Sequence, residues 1–285
     1  MSGNLQQTVK ADIHVDGIGL HLGKAVSLTL KPAPVDTGII FRRLDLNPAV
    51  DVPVRVDGIQ EAVMCSALFN GQTKISTIEH LMSALCMLKI DNVIAELSAD
   101  ELPVMDGSSL PFIQAIETVG IKTQEKKRRE IKILKPVRVE HEDKFAEVLP
   151  SEKTTYRFEI KWDHPVIANT PGVVEFDGDF DFYKDKVSRA RTFGFVEQLD
   201  YLHQNNLAKG ASLDNAVGVT NDGVLNEGGL RYDDEFVKHK LLDAIGDFYV
   251  GGAIIGYFNC YKSGHHLNNM LLRKIYSDKA NYQII

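Results

Sequence analysis

Cysteine is scarce in this chain, with three among 285 residues. Cys65, Cys86 and Cys260 form no Cys-x-x-Cys pair, which excludes a thiolate zinc knuckle. An odd and sparse set of cysteines is typical of reduced thiols, and residues 1–7 carry neither the basic nor the apolar part of a secretory signal. We therefore expect a cytoplasmic protein without disulfide bonds.

Long apolar runs and an excess of positive charge are missing as well. The longest apolar stretch, 248–258, is about half as long as the roughly 20 residues of a membrane-spanning helix, so we expect no transmembrane segment. The chain has 39 acidic and 32 basic residues, and its net charge of −7 gives no overall attraction to nucleic acid. Dinucleotide-binding, P-loop and G-x-S-x-G motifs are also absent, which argues against dinucleotide, NTP-dependent and serine hydrolase chemistry.

The composition, with 44% hydrophobic and 25% charged residues, is that of a globular protein, and the length favours two domains. A charged run at 122–130 follows a predicted helix at 111–119 and precedes a strand-like segment. We therefore predict a domain boundary there, with α+β domains over 1–125 and 126–285. The alternative is a long charged surface loop within one domain.

Each half has the same predicted order of strands, then helices, then a buried strand. In the first half, a helix at 76–88 precedes a strand at 92–97. In the second half, helices at 191–205 and 235–249 precede a strand at 252–258. This order predicts an α+β fold in which each half contributes a sheet and a layer of helices.

The strongest local signal is a histidine and two aspartates on the predicted helix 235–249. His239, Asp243 and Asp247 are four residues apart, which places one imidazole and two carboxylates on a single stripe. A histidine and an aspartate one turn apart can bind one cation from a rigid element. The alternative is a polar stripe that faces water. For an isolated histidine and aspartate four residues apart, this alternative is the favoured interpretation.

A second candidate lies at the start of the predicted helix 76–88. Ser76 and Glu79 fit an S-x-x-E capping box, so the conservative interpretation is that Glu79 caps its own helix. His80 follows directly, and the pair also offers a base beside a metal ligand. Three protein ligands with one open position are the pattern of catalytic zinc sites, and His80 would complete such a set with His239 and Asp243.

A third candidate is the pair of histidines that follows Gly264. A turn at this glycine would present an imidazole at the end of the predicted strand 252–258. Because adjacent side chains cannot both face one point, at most one of His265 and His266 is expected to be functional. The alternative is an exposed polar loop.

Further candidates are aromatic residues near Thr192. This threonine is a potential N-cap of the predicted helix 191–205. Phe193 and Phe195 flank a glycine, so one of them could line a cavity, although packing in the core explains them equally well.

Leu20 and His21 lie in a hairpin-like segment, 17–23, that contains three glycines. Glycine at such positions can bring the backbone close to a ligand. This is a weaker signal than the others.

Taken together, these segments resemble the family of UDP-3-O-acyl-N-acetylglucosamine deacetylases, the zinc amidases of lipid A synthesis. The resemblance extends over nearly the whole chain, and the order and spacing of the segments carry it, because any one motif alone would be weak. The resembling segments are 17–23, 76–84, 103–112, 188–195, 239–247 and 263–269.

The resemblance implies that His80, His239 and Asp243 hold Zn²⁺ and that Glu79 is the general base. The activity it implies is hydrolysis of the acetamide of a UDP-linked acylated amino sugar, the committing step of lipid A biosynthesis. The fold it implies is a pair of similar two-layer α+β domains, with their helices sandwiched between the two sheets.

The resemblance also implies that Thr192 helps to hold the oxyanion and that His265, oriented by Asp247, is the second catalytic group. His266 stands where many members carry a small residue, so the choice between the two histidines rests on the register of the match.

For the substrate, the resemblance implies that Lys240 faces its anionic part and that Phe195 and the helix after it line a passage for the acyl chain. Phe193, Leu20 and His21 are further candidates for substrate binding. We expect a monomer without a nucleic-acid partner that makes peripheral contact with the inner membrane. Two alternatives remain, namely a zinc deacetylase of a different amino sugar and a non-catalytic sugar-nucleotide-binding protein with a structural metal.

Overall fold

The computed structural model describes residues 4–285, apart from the side chain of residue 61. Residues 1–3, part of the segment in which we expect no secretory signal, lie outside the described residues. In chain order, the strands are β1 Leu5–Val9, β2 Ile13–Ile18, β3 Ala25–Pro32, β4 Ile39–Arg43, β5 Val50–Pro53, β6 Ile59–Ala62, β7 Cys65–Asn70, β8 Thr73–Ser76, β9 Val93–Leu97, β10 Ile121–Lys127, β11 Glu130–Ile133, β12 Val137–His141, β13 Lys144–Leu149, β14 Thr155–Glu159, β15 Val173–Phe176, β16 Phe193–Phe195, β17 Val217–Thr220, β18 Gly223–Val224, β19 Ala253–Ile255, β20 Tyr257–Tyr261 and β21 Tyr282–Ile284. The helices are α1 Glu79–Met87, α2 Leu110–Val119, α3 Pro165–Ala168, α4 Phe180–Lys186, α5 Leu199–Gln204, α6 Glu235–Tyr249 and α7 His265–Ser277.

Two five-stranded sheets, one from each half of the chain, have the same topology. The first has the order β2-β3-β9-β4-β5 and the second the order β12-β13-β20-β14-β15. In both, the central strand is the last along the chain, antiparallel to one neighbour and parallel to the other. The predicted α+β fold with two similar halves is confirmed.

The main helices meet between these sheets. Helix α1 packs along α6, α7 packs on β12 and β13, and α2 contacts β2. Five apolar side chains of α1 and α6 are fully buried, namely Leu81 and Leu85 of α1 and Leu241, Leu242 and Ile245 of α6. Because most side chains of α1 and α6 are buried, the polar side chains on these two helices are held in a closely packed and therefore rigid environment.

Several sequence-based element predictions are confirmed, and others are wrong. Helix α6 begins and ends at the predicted residues, and the predicted strand 92–97 is β9. The charged run at 122–130 is no linker, because most of it is β10, which pairs with β1. The predicted strand 252–258 is two strands in different sheets, with Gly256 between them, where a Cβ atom would lie 2.7 Å from Val148.

The predicted helix 191–205 is also wrong. Residues 193–195 form β16, which pairs in parallel with β17, and helix α5 does not begin until Leu199. Alternation of phenylalanine and glycine fits a strand with one face on the core, and tertiary pairing prevails over helix propensity here. Thr192 therefore caps no helix.

The helices also bear on membrane insertion. Among residues 4–285, none of the helices combines the length and apolar character that a bilayer crossing would need.

Candidate metal centre and active site

Three side chains from two helices converge in the interior. His80 is the second residue of α1, and His239 and Asp243 lie one turn apart on α6. One ligand atom from each residue lies within 4.8 Å of the other two, and all three residues are buried. The Nε2 atoms of His80 and His239 are 3.6 and 3.3 Å from Oδ1 of Asp243. The structure thus brings together the three residues that were candidates for metal binding.

The hydrogen bonding of these residues fits a cation. Oδ1 of Asp243 is buried and has no hydrogen-bond partner among the described residues, an arrangement that costs free energy unless a further group pairs with it. His239 donates from Nδ1 to the carbonyl oxygen of Ala190, at 3.0 Å, so its Nε2 lone pair points toward Asp243. Burial lowers the pKa of His239 to about 3, and the ring is therefore neutral, as a metal ligand must be.

The carbonyl of Ala190 is itself held in place by a buried ion pair. Nε of Arg191 donates to Oε1 of Glu235 at 2.9 Å, and the backbone N–H of Arg191 donates to the same oxygen at 2.9 Å. Glu235 is fully buried. This ion pair could not be recognised in the sequence, because the partner of Arg191 is 44 residues away.

Glu79 lies beside the three convergent residues and does not cap its helix. The residue before α1 is Ile78, which makes no side-chain cap, and Ser76 donates its hydroxyl to the carbonyl oxygen of Asp100. The capping-box interpretation is therefore wrong. Oε2 of Glu79 accepts a hydrogen bond from the backbone N–H of Ser66 at 3.2 Å, and burial raises the pKa of the Glu79 carboxyl. A carboxylate with a raised pKa is suited to accept a proton.

His265 is the first residue of α7 and not part of an exposed loop. Its Nδ1 is 3.0 Å from Oδ2 of Asp247, and its Nε2 is 3.8 Å from Oε1 of Glu79. Burial lowers the pKa of His265, but the carboxylates of Asp247 and Glu79 outweigh burial and raise it to about 9. The ring of His266 lies 6.1 Å from that of His141. Of the two histidines, His265 is thus the one that pairs with Asp247.

A cleft of about 440 Å³ opens onto these residues. One part of its wall is apolar and includes Leu20, Trp162, Phe193, Phe195 and Leu202. Another part is polar or basic and includes Thr192, Lys144, Lys240, Lys262 and His266. The cleft therefore offers an apolar surface and a cationic surface beside the convergent side chains.

Several of these cleft residues were missed in the sequence. Trp162 lies in a loop after β14 with its ring against Phe193, at 5.6 Å. As the one tryptophan of the chain it was a signal worth following. Lys144 and Lys262 could not be predicted as cleft residues from the sequence. They are 118 positions apart, and only the pairing of β13 with β20 brings them to the same site.

Lys240 reaches both the cleft and the proposed ligand set. Its Nζ donates to Oδ2 of Asp243 at 2.5 Å, and its side chain also lines the cleft. Burial disfavours the ammonium form, but the Asp243 carboxylate outweighs burial and raises the pKa of Lys240. Lys240 is therefore a cation that fixes the second oxygen of Asp243.

The glycine-containing segment 17–23 is fixed by one buried carboxylate. Glu101 accepts hydrogen bonds from the backbone N–H groups of His21 and Leu22, at 2.8 and 2.9 Å. A Cβ atom on Gly19 would lie 2.3 Å from Oε2 of Glu101, which explains the glycine. Leu20 lines the cleft, whereas His21 is buried and not among the lining side chains.

The chain is similar to known proteins along almost its whole length. A sequence model of the family described as LpxC: UDP-3-O-acyl N-acetylglycosamine deacetylase matches residues 6–277. A UDP-3-O-acyl-N-acetylglucosamine deacetylase from Francisella tularensis subsp. tularensis is 62% identical over 283 residues, which cover 98% of this chain and 99% of that protein. A protein of the same name from Idiomarina loihiensis is 47% identical over 282 residues, which cover 98% of this chain and 92% of that protein.

Proposed function

The chain belongs to the UDP-3-O-acyl N-acetylglycosamine deacetylase family, and from this premise we propose that His80, His239 and Asp243 hold a catalytic Zn²⁺. Two imidazole nitrogens and one carboxylate oxygen are donors that Zn²⁺ accepts in catalytic sites. The observation that carries the proposal is the convergence of one ligand atom from each residue within 4.8 Å, at a site where the buried Oδ1 of Asp243 has no hydrogen-bond partner among the described residues. Among the described residues the group has three members, which supports an open catalytic site over a closed structural one.

The protein is a deacetylase of lipid A biosynthesis. It hydrolyses the acetamide of UDP-3-O-acyl-N-acetylglucosamine and releases acetate and the free amine. An amide is a difficult substrate because water is a weak nucleophile and an amine anion is a poor leaving group. The site must therefore supply a base for the water and an acid for the amine.

We assign these two roles to Glu79 and His265. When bound, Zn²⁺ supplies a Lewis acid that lowers the pKa of water toward about 7 and polarises the carbonyl oxygen. Glu79 accepts the proton of the attacking water. His265 donates a proton from its imidazolium to the amine nitrogen as the C–N bond breaks, and Asp247 keeps the imidazolium form favourable.

Thr192 is proposed to stabilise the oxyanion that develops on the acetyl carbonyl. Its side chain lines the cleft, and its backbone N–H is fixed by the carbonyl oxygen of Gly107, at 2.8 Å. A preorganised donor of this kind is typically worth about 3–4 kcal/mol in the transition state.

The two surfaces of the cleft match the two ends of the substrate. We propose that Phe193, Phe195 and Leu20 contact the acyl chain, which would add about 0.8 kcal/mol per buried methylene. Lys240 is proposed to face the anionic part, and His21 to support Leu20 from the segment 17–23. A UDP sugar without the acyl chain tests this assignment, because equal turnover would show that the apolar wall has no role in catalysis.

The repeated strand order also supports two domains over 1–125 and 126–285. Because β10 spans the proposed boundary and pairs with β1, we propose that the connection is a structured strand and not a flexible linker. The proposed metal ligands then come from both domains, with His80 in the first and the other two in the second.

Metal analysis of the purified protein, followed by deacetylation with and without a chelator, tests the proposed function. We expect about one zinc per chain, loss of turnover on chelation and recovery on adding Zn²⁺. His239→Ala should lose the metal, whereas His203→Ala, a histidine bonded to the carbonyl oxygen of Ala208, should retain it. Full turnover without metal, or full zinc content in His239→Ala, would refute the proposal.

A further inference from the structure

Ser66 is a fully buried residue of β7 that contacts Glu79, the proposed base, and Asp247, the partner of the proposed acid His265. Its hydroxyl donates to Oδ1 of Asp247 at 2.5 Å, across 181 positions of the sequence. Its backbone N–H donates to Oε2 of Glu79 at 3.2 Å. Its carbonyl oxygen accepts a hydrogen bond from Thr77, two residues before Glu79, at 3.0 Å. All of its polar groups are thus used on the site or on the segment that leads into it.

We infer that Ser66 is a positioning residue for the deacetylation, one that fixes the Asp247–His265 pair relative to the Glu79 carboxylate. The inference rests on the proposed function, because it assigns a role only if Glu79 and His265 are the base and the acid. Ser66 itself is not among the residues that line the cleft, and its hydrogen bonds go to Glu79, Thr77 and Asp247 and not to the three proposed metal ligands.

The geometry around Asp247 explains why the hydroxyl matters. Asp247 is almost wholly buried, and its Oδ2 accepts from Asn268 at 2.8 Å and lies 3.0 Å from Nδ1 of His265. Its Oδ1 accepts from Ser66 and lies farther from His265, at 3.2 Å. Without the hydroxyl, Oδ1 loses its strong donor and the carboxylate is free to turn about its Cβ–Cγ bond. The imidazole would then lose the orientation that points its Nε2 toward Glu79.

The two hydrogen bonds that Ser66 donates, to Asp247 and to Glu79, can be removed separately. The contact to Asp247 is made by the side chain, whereas the contact to Glu79 is made by the backbone. A side-chain substitution therefore removes the hydrogen bond to Asp247 and leaves the hydrogen bond to Glu79 in place. Such a change should lower the turnover number and leave substrate binding intact, because it affects proton transfer and not the cleft wall.

The first experiment compares Ser66→Ala with Ser109→Ala in the full-length, zinc-loaded enzyme. Ser109 is equally buried and its hydroxyl is hydrogen-bonded to Tyr183 at 2.8 Å, so it controls for the loss of a buried hydroxyl. We expect kcat of Ser66→Ala to fall by about 10- to 100-fold, with KM within about twofold and zinc content unchanged. Ser109→Ala should keep its kcat. Wild-type kcat in Ser66→Ala, beside an active wild-type enzyme, would overturn the inference, whereas an inactive, metal-loaded wild-type enzyme would instead overturn the proposed function.

A double-mutant cycle tests whether Ser66 acts through Asp247. If it does, Ser66→Ala should have almost no effect on kcat in a chain that already carries Asp247→Ala, because both substitutions remove the same interaction. If the fold-decreases in kcat of the two single variants instead multiplied in the double variant, the inference would be overturned.

Should Ser66→Ala not fold, the pair Ser66→Thr and Ser66→Val provides the same comparison. These two side chains have nearly the same shape and differ in the hydroxyl. We expect kcat of Ser66→Thr to exceed that of Ser66→Val about tenfold, and equal values would overturn the inference.

Discussion

A Cβ atom on Gly246 would lie 2.1 Å from the carbonyl oxygen of Glu79, a distance that no side chain can adopt without movement of the backbone. Gly246 lies within α6 and Glu79 begins α1, so this contact sets the separation of the two helices that carry the proposed metal ligands. Glycine within a helix costs about 1 kcal/mol relative to alanine. Close packing of the two helices is the physical reason for accepting that cost.

Gly246→Ala should therefore damage both stability and metal binding. The added methyl group forces α1 and α6 apart, and overpacking of this kind typically costs about 1–3 kcal/mol. Separation of His80 from His239 and Asp243 should lower zinc affinity as well. Urea unfolding and metal titration measure the two effects. Gly228→Ala is the matched control, because a Cβ atom there would meet nothing within 4 Å, and equal behaviour of the two variants would contradict the prediction.

Glu79→Gln should leave zinc bound and nearly abolish turnover. The amide keeps the shape of the carboxylate but cannot accept the proton of the attacking water, and loss of a general base typically costs about 10²–10⁴ in rate. The measurements are kcat and zinc content on the same preparation. Glu117→Gln, on the surface and paired with Lys184, serves as the control. Unchanged turnover in Glu79→Gln would return Glu79 to a structural role.

Two single variants decide between the adjacent histidines. His265→Ala should lower kcat by about 10² or more, because the imidazole that pairs with Asp247 is lost. His266→Ala, at the mouth of the cleft, should have the smaller effect and should act on KM if on anything. A dead His266→Ala enzyme beside an active His265→Ala enzyme would show that the assignment is reversed.

Local spacing in the sequence was informative where one element carries the whole pattern. His239, Asp243 and Asp247 repeat at the period of a helix, and α6 forms over the predicted residues. What spacing could not supply was the third member of the set. His80 lies 159 positions before His239, and only the packing of α1 against α6 brings their rings to 5.2 Å. Ligand chemistry could therefore offer His80 as a candidate, but spacing could not place it beside the other two residues.

The predictions that are wrong have a common physical cause. The segment 191–205 is short and apolar enough for a helix, but pairing with β17 makes its start a strand. Glu79 fits a capping box, but the N–H of Ser66 occupies Oε2 of its carboxylate. In each case a partner distant in the sequence outweighs the local preference, and such partners leave no periodic trace in one sequence.

The last prediction concerns pH. Burial lowers the pKa of His265, but the negative charges of Asp247 and Glu79 outweigh it and raise that pKa to about 9. A proton donor works only in its protonated form, so kcat should fall as the pH rises through this pKa. Asp247→Asn removes one of the two charges and lowers the pKa of His265. The alkaline limb of the kcat–pH profile should therefore move to lower pH.

The midpoint pH of the alkaline limb does not depend on the magnitude of kcat, so a variant with low activity can still report the shift. Asp247→Asn is expected to lower kcat at every pH, because asparagine cannot stabilise an imidazolium by charge, yet the midpoint still reports the pKa of the group that titrates. A limb that stays in place would mean that a different group loses its proton. Lys240 would then be the group to test, because its ammonium also lies within the buried charge cluster and is held by Asp243 instead of Asp247. A shift in Asp247→Asn with no shift in Ser109→Ala would leave His265 as the donor, held in its charged form by a carboxylate from the neighbouring helix.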